Sequence, residues 1–203
     1  MQISAKKPGR PRQFDETRLI HDLMMIFWRH GFDGTTSALI SSAAGLRPSS
    51  LYNTFGSKHG LFLVVLDHYL ELLDDRLEPL TQGKEGLADI ARFLRQLQQS
   101  KLASGAIPGC LMANTLGDGG ESDPDISRRT KAYKTKIRNA FTRALMRSAE
   151  LGEIRQGDVE ASADVVSMAL IGVLISSRGQ LPGVEEAFVR SLMAVLEHMR
   201  IAN

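Results

Sequence analysis

From Thr35 to Lys58 the chain carries many short side chains with hydrogen-bond donors and acceptors, and it holds no acid. Its second half runs into LRPSSLYNTFGSKHGLF, residues 46–62. Hydroxyl, amide and guanidinium groups on a surface free of negative charge can bond base edges and phosphodiester oxygens. Arg47, Pro48, Ser49, Ser50, Tyr52, Asn53 and Lys58 are the candidates in residues 46–62, with Thr35, Thr36 and Ser37 before them. Taken singly, Tyr52 reads equally as a half-buried aromatic, and Arg47 as a solvated turn residue. The second chemistry-bearing group is Cys110, the one cysteine of the chain. A free cysteine either packs as a small hydrophobe or, beside a helix N-terminus, gains thiolate character and reactivity. Pro108-Gly109 before it favour a helix start there. Both readings stay open.

Other chemistries lack their signatures. The sequence has no G-x-S-x-G, no H-E-x-x-H, no phosphate-cradling glycine loop and no dinucleotide fingerprint. His21, His30, His59, His68 and His198 are not paired at metal-ligand spacing. No catalytic residue, metal or cofactor is therefore expected. One cysteine cannot form an intrachain disulfide.

The elements that position these groups follow from periodicity and punctuation. Asp15 can cap a first helix, with Phe14 and Leu19 at staple spacing. Leu19, Leu23, Ile26 and Phe27 share its inner face. Gly31 stops it, and Phe32 is expected to tuck beneath. Thr35 or Thr36 starts a short second helix that buries Ile40, Ala43 and Ala44 and ends at Gly45. Pro48 suits the first turn of a third helix, Leu51 and Phe55 point inward together, and Gly56 breaks it. Two short helices joined by a tight turn have helix-turn-helix spacing.

The remainder reads as helix. Leu61 to Leu73 stripe a long fourth helix that ends before Pro79, and Leu87 to Leu97 a fifth. Residues 101–109 form a connection, and a short helix follows from Cys110 to Leu116. Asp123-Pro124 open a helix of about 27 residues, roughly 40 Å long. Asp158 is read as the cap of the next helix, apolar from Val165 to Ile175. Val184 to Met199 mark the last one. Met24, Met25, Met112, Met146, Met168, Met193 and Met199 read as core fillers or as lining of an adaptable pocket. The apolar faces of the last two helices exceed what one helix pair needs, which suggests a dimer interface. The fold class is all-α, with about nine helices.

Composition agrees with a packed protein, with 43% hydrophobic and 24% charged residues. The net charge of +2 is uneven: residues 1–60 carry eight Lys/Arg against four Asp/Glu. Lys6, Lys7, Arg10 and Arg12 lie in KKPGRPR, read as a flexible basic arm over residues 1–13 that follows phosphates or enters a minor groove. The Val165–Ile175 run is shorter than the ~20 residues a bilayer span needs, and the start lacks a signal-peptide pattern. A cytoplasmic protein is expected.

Together, GRPRQFD, FWRHGFDGTT, AAGL, SSLYNTFGSKHGLF and LDHYL, over residues 9–70, resemble the TetR family of transcriptional regulators. LYNTFGSKHGLF is the most specific part. GCLMANTLGD is similar to a segment in one group of these regulators. The resemblance implies a three-helix DNA-binding domain over residues 14–60 and a helical effector-binding and dimerisation domain over 61–203. It implies phosphate contacts from Tyr52, Lys58, Thr36 and Ser37, and base reading by Arg47, Pro48, Ser49, Ser50 and Asn53. It also implies a homodimer on double-stranded operator DNA, answering a small-molecule effector or a thiol-reactive signal at Cys110. Two positions depart from the family pattern: Ser37 replaces an apolar residue, and Gly60 is expected to weaken the fourth helix slightly. The competing readings are an enzyme, for which no motif speaks, and an adaptor binding another protein through its last helices.

Overall fold

The computed structural model describes residues 16–103, 109–179 and 183–201. Phe14, Asp15 and the basic arm with Lys6, Lys7, Arg10 and Arg12 lie outside these residues. The described residues form ten α-helices and three short 3₁₀ turns, with no strand among them. They are α1 (Glu16–Gly34), α2 (Ser37–Ala44), α3 (Pro48–Phe55), α4 (Lys58–Arg76), α5 (Glu78–Gln82), α6 (Leu87–Ala103), α7 (Leu111–Gly117), α8 (Pro124–Glu150), α9 (Val159–Ser176) and α10 (Val184–His198). The helix beyond the expected number is α5. Pro79 does not merely end α4; it sits in the first turn of a new helix, where a missing N–H is tolerated.

Helices α1 to α4 build the small N-terminal unit. Gly31 at φ +70° breaks α1 internally and turns Phe32 inward. Phe32 then meets Phe62 at 5.1 Å, and Phe27 meets Phe62 at 4.9 Å, so three aromatics close the space between α1 and α4. Leu51 is fully buried, as expected, whereas Phe55 packs on the core from a half-buried position. Gly60 corrects the reading made from helix propensity. A Cβ there would lie 2.2 Å from the Phe55 carbonyl oxygen, so glycine is what lets α3 meet α4 so closely. The same residue donates its N–H to the Ser57 cap at 3.0 Å.

The larger C-terminal unit is centred on α8. Asp123 caps it as expected: its Oδ1 accepts from Asp125 N at 2.9 Å and Ile126 N at 3.0 Å. Asp158 does not cap α9. It closes a 3₁₀ turn that runs straight into the helix with helical backbone angles, so its side chain never folds back to the free N–H groups. The apolar segment is also longer than the Val165–Ile175 run: Gln156–Ser176 is 21 residues, long and apolar enough by length and composition to cross a membrane, as core helices also are. One face of it, with Ala163, Val166, Leu170 and Leu174, is buried in the protein. Met168 and Met146, read as core fillers, are instead 72% and 42% exposed.

Candidate nucleic-acid interface and effector cavity

Thr36 is the N-cap of α2; its Oγ1 accepts from Leu39 N at 3.3 Å. The hydroxyl hydrogen is then free to donate outward. Thr35, one residue earlier, is fully buried and donates its hydroxyl to the Gly31 carbonyl at 2.6 Å. The buried position removes it from the surface-facing set, because its only hydroxyl proton is spent on holding the Gly31 turn. Ser37 is exposed, and its Oγ lies 3.1 Å from the Tyr52 hydroxyl. This contact ties the start of α2 to the middle of α3. Ser41 Oγ donates to the Leu46 carbonyl at 2.5 Å and fixes the turn between them.

On α3, Arg47 is the N-cap residue but makes no side-chain capping bond, and it is exposed. Ser49, Ser50, Asn53 and Thr54 are exposed, while Pro48 and Tyr52 are half-buried. Lys58, in the first turn of α4, lies 4.6 Å above the Phe32 ring and 3.5 Å from the Asp33 carbonyl. The Ser37–Tyr52 contact brings the start of α2 beside α3, on which Ser49, Ser50 and Asn53 are exposed, with exposed Arg47 just before it and Lys58 in the first turn of α4. Neither α2 nor α3 contains an acid. A two-turn helix anchored from beneath by Leu51 and bare on top can enter a groove with little steric hindrance.

Helix α4 leads from this face into the larger unit, and paired charges hold it along α8. His59 Nε2 lies 2.9 Å from Asp123 Oδ2. Arg129 takes Asp67 in a fork at 2.8 and 2.6 Å, and Lys136 reaches Asp74 at 2.5 Å. The α4 partners fall about two turns apart, as do those on α8. Pairs this exposed add little stability, but their register fixes how far α4 is slid along α8. The Asp123 carboxyl is held below the usual carboxylate range, chiefly by the Ile126 N–H. Arg178 pairs with Asp118 beside Gly31, so the end of α1 is braced by the larger unit as well.

A cavity of about 270 Å³ lies where α1, α4, α6, α8 and α9 converge. Met24, Met25 and Trp28 of α1, Tyr69 and Arg76 of α4 and Tyr133 of α8 contribute to its wall, and Cys110 opens onto it. The sequence reading placed Cys110 at the start of a short helix, and it is the N-cap residue of α7. It is buried, its Sγ accepting from Ala113 N at 3.4 Å and lying 3.3 Å from the Tyr133 hydroxyl. Met24 and Met25, which the sequence offers as core or as pocket lining, are in the cavity wall. Tyr69 and Leu73 belong in the sequence only to a helical stripe, and nothing in a stripe tells a cavity wall from a filled core.

Residues 19–65 match the family model described as bacterial regulatory proteins, tetR family. The chain is 29% identical over 76% of its length to the HTH-type transcriptional regulator YezE of Bacillus subtilis, covering 80% of that protein. It is 27% identical over 87% of its length to the HTH-type transcriptional repressor ComR of Escherichia coli, covering 86% of it. Among solved structures, it superposes with a TM-score of 0.77 on the regulator CifR, a cysteine mutant bound to 26-bp operator DNA. That likeness has 25% identity and covers 93% of this chain and 98% of the other.

Proposed function

From a chain that belongs to the TetR family of bacterial regulatory proteins, we propose a homodimeric repressor that binds a palindromic operator and releases it on a chemical signal. The observation that carries this reading is the acid-free, hydroxyl-lined face of α2 and α3, left bare while Leu51 is buried beneath it. Thr36, Ser37, Tyr52 and Lys58 contact phosphates and set the register. Arg47, Pro48, Ser49, Ser50 and Asn53 face base edges. Lys6, Lys7, Arg10 and Arg12 form an arm that adds phosphate or minor-groove contacts. Two protomers place their α3 helices in major grooves about one helical turn apart.

The dimer is supported by a stripe on α9. Ala161, Val165, Met168, Ala169, Gly172 and Ser176 are exposed and recur at helical spacing. Val165 is 67% exposed and Met168 72%, and on the neighbouring α10 Val195 is 52% exposed. Apolar groups this exposed on adjoining helices fit a surface that a second copy covers. The cavity receives the signal. Its wall includes α1 and α4, and both helices continue into the DNA-facing unit, so occupancy biases the spacing of the two reading heads.

Footprinting upstream of the chain's own gene tests the reading. Two protomers per protected palindrome are expected. The logarithm of affinity should fall against the logarithm of salt with a slope of about −4 or steeper, as four or more neutralised phosphates demand. Salt-insensitive binding overturns it.

Cys110 is the proposed thiol sensor. The Tyr133 hydroxyl and the Ala113 N–H both lie against its sulfur. The sulfur opens onto the cavity and not to bulk solvent, so access is filtered by size. Iodoacetamide is expected to alkylate it in native protein and weaken operator binding about tenfold, on the scale of one allosteric coupling. A dye-sized maleimide is expected to react slowly, and Cys110→Ser is expected to resist both. Equal rates for the two reagents, or an unchanged response in Cys110→Ser, removes Cys110 from this role.

A further inference from the structure

The wall of the cavity carries donors and no acid. No Asp or Glu lines it. Arg76 stands at its mouth with its guanidinium 5.5 Å from the Tyr69 ring and 5.9 Å from the Trp28 ring. It donates to the Tyr69 hydroxyl at 3.4 Å, and among the described residues it has no carboxylate partner. The Trp28 Nε1 atom is buried and finds no acceptor among the described residues. Burial pushes the phenols of Tyr69 and Tyr133 well above their ordinary pKa, so both keep their O–H groups at neutral pH. His21, Gly109 and Cys110 also line it, and the rest of the lining is Met, Leu, Ile and Phe.

An exposed guanidinium with no carboxylate partner among the described residues, and a buried indole N–H with no acceptor among them, favour a ligand that accepts hydrogen bonds and carries negative charge. A cationic ligand would meet Arg76 with no counter-charge in the wall. Size narrows the class. At about 30 Å³ per water, 270 Å³ is the volume of about nine waters, enough for one ring with a small substituent. Aromatic faces from Trp28, Tyr69, Phe93 and Tyr133 suit a flat ring.

We propose that this cavity binds a compact single-ring monoanion, an aromatic carboxylate in class, with the carboxylate toward Arg76 and the ring among the aromatic side chains. The proposal rests on the reading of the cavity as the effector site. Such a ligand bridges Trp28 on α1 and Arg76 on α4, the two helices of the wall that continue into the DNA-facing unit. It therefore fixes their separation directly.

Three single-ring probes of similar size and different charge test it on the full chain: benzoate, benzamide and benzylamine. Trp28 is the one tryptophan, so its fluorescence reports occupancy. Benzoate is expected to quench it saturably and to bind at least about tenfold tighter than benzamide, with benzylamine silent. Arg76→Gln is expected to erase the preference for benzoate, and Arg76→Lys to keep most of it. Equal binding of the neutral or cationic probe, no saturable binding of benzoate, or an unchanged preference in Arg76→Gln overturns the class. An operator-release assay with the same probes separates this from the underlying reading. Benzoate that binds with the expected preference yet leaves operator binding unchanged supports the ligand class and refutes the effector role. Release by a neutral apolar compound to which benzoate is indifferent does the reverse.

Discussion

Placing a carboxylate at Met168 is expected to separate the protomers and to lower operator affinity by about three orders of magnitude. Met168 is 72% exposed on α9, one turn from Val165 at 67%, with Val195 of α10 exposed nearby. Across a two-fold axis the same residue appears from both copies, so Met168→Glu sets two carboxylates into one apolar contact. Their desolvation and mutual repulsion are not relieved by any partner. A monomer still presents one reading face, but it loses the second half-site, and linked half-sites raise apparent affinity by about 10²–10⁴ over either alone. Sedimentation velocity and gel shift on one palindrome measure both effects together. The helical content of the variant is expected to stay at the parent level, because the side chain at position 168 is mostly exposed in its own chain. A variant that remains dimeric places the interface elsewhere. A stable parent monomer that leaves this face open would favour the adaptor reading.

The second large effect lies under α3. This helix has only two turns, which is too short to persist on its own propensity. Leu51, buried to 1%, and the half-buried Phe55 hold it in the core, where α3 packs on α2 and α4. Leu51→Ala is expected to cost about 3 kcal/mol, within the usual range for truncating a buried leucine. That loss falls on one small unit. Amides of α3 should lose hydrogen-exchange protection while α8 keeps its own, and specific operator binding should fall at least a hundredfold. Tyr52→Phe is the matching control. It removes the hydroxyl that meets Ser37 and leaves the ring in place, so the fold is retained and affinity falls only about tenfold, near the value of one hydrogen bond to a charged group. Operator binding by Leu51→Ala within twofold of the parent would mean that α3 does not read DNA.

Much of the DNA-facing unit was legible from residues alone, and the reason is locality. Gly31, Thr36, Gly45, Pro48, Gly56 and Ser57 each act on their own turn, so their order fixes where helices start and stop. The spacing of Leu51 and Phe55 selects the buried side of α3, and Ser49, Ser50 and Asn53 must then face out. Even Cys110 as a helix cap could be placed from the Pro-Gly before it. Where local reading failed, a distant or packed neighbour decided. Thr35 and Thr36 are the same residue type side by side, and only the turn at Gly31 buries one and leaves the other exposed. Gly60 looks like a weak helix former until the Phe55 carbonyl is seen 2.2 Å from its missing Cβ.

The sequence by itself determined the helical class, the helix-turn-helix and the acid-free face, because caps, breakers and a 3.6-residue period act within a few residues. Only the tertiary structure decided what the larger unit does with its stripes. The same apolar periodicity yields a filled core at Leu145, a cavity wall at Tyr133 and Ile137, and a bare surface at Val165 and Met168. Which of the three results depends on whether another helix, empty volume or solvent lies opposite. The charge pairs that join α4 to α8 span 62 to 64 residues. A pairing over that distance is set by how two helices lie against each other, and no local pattern encodes it.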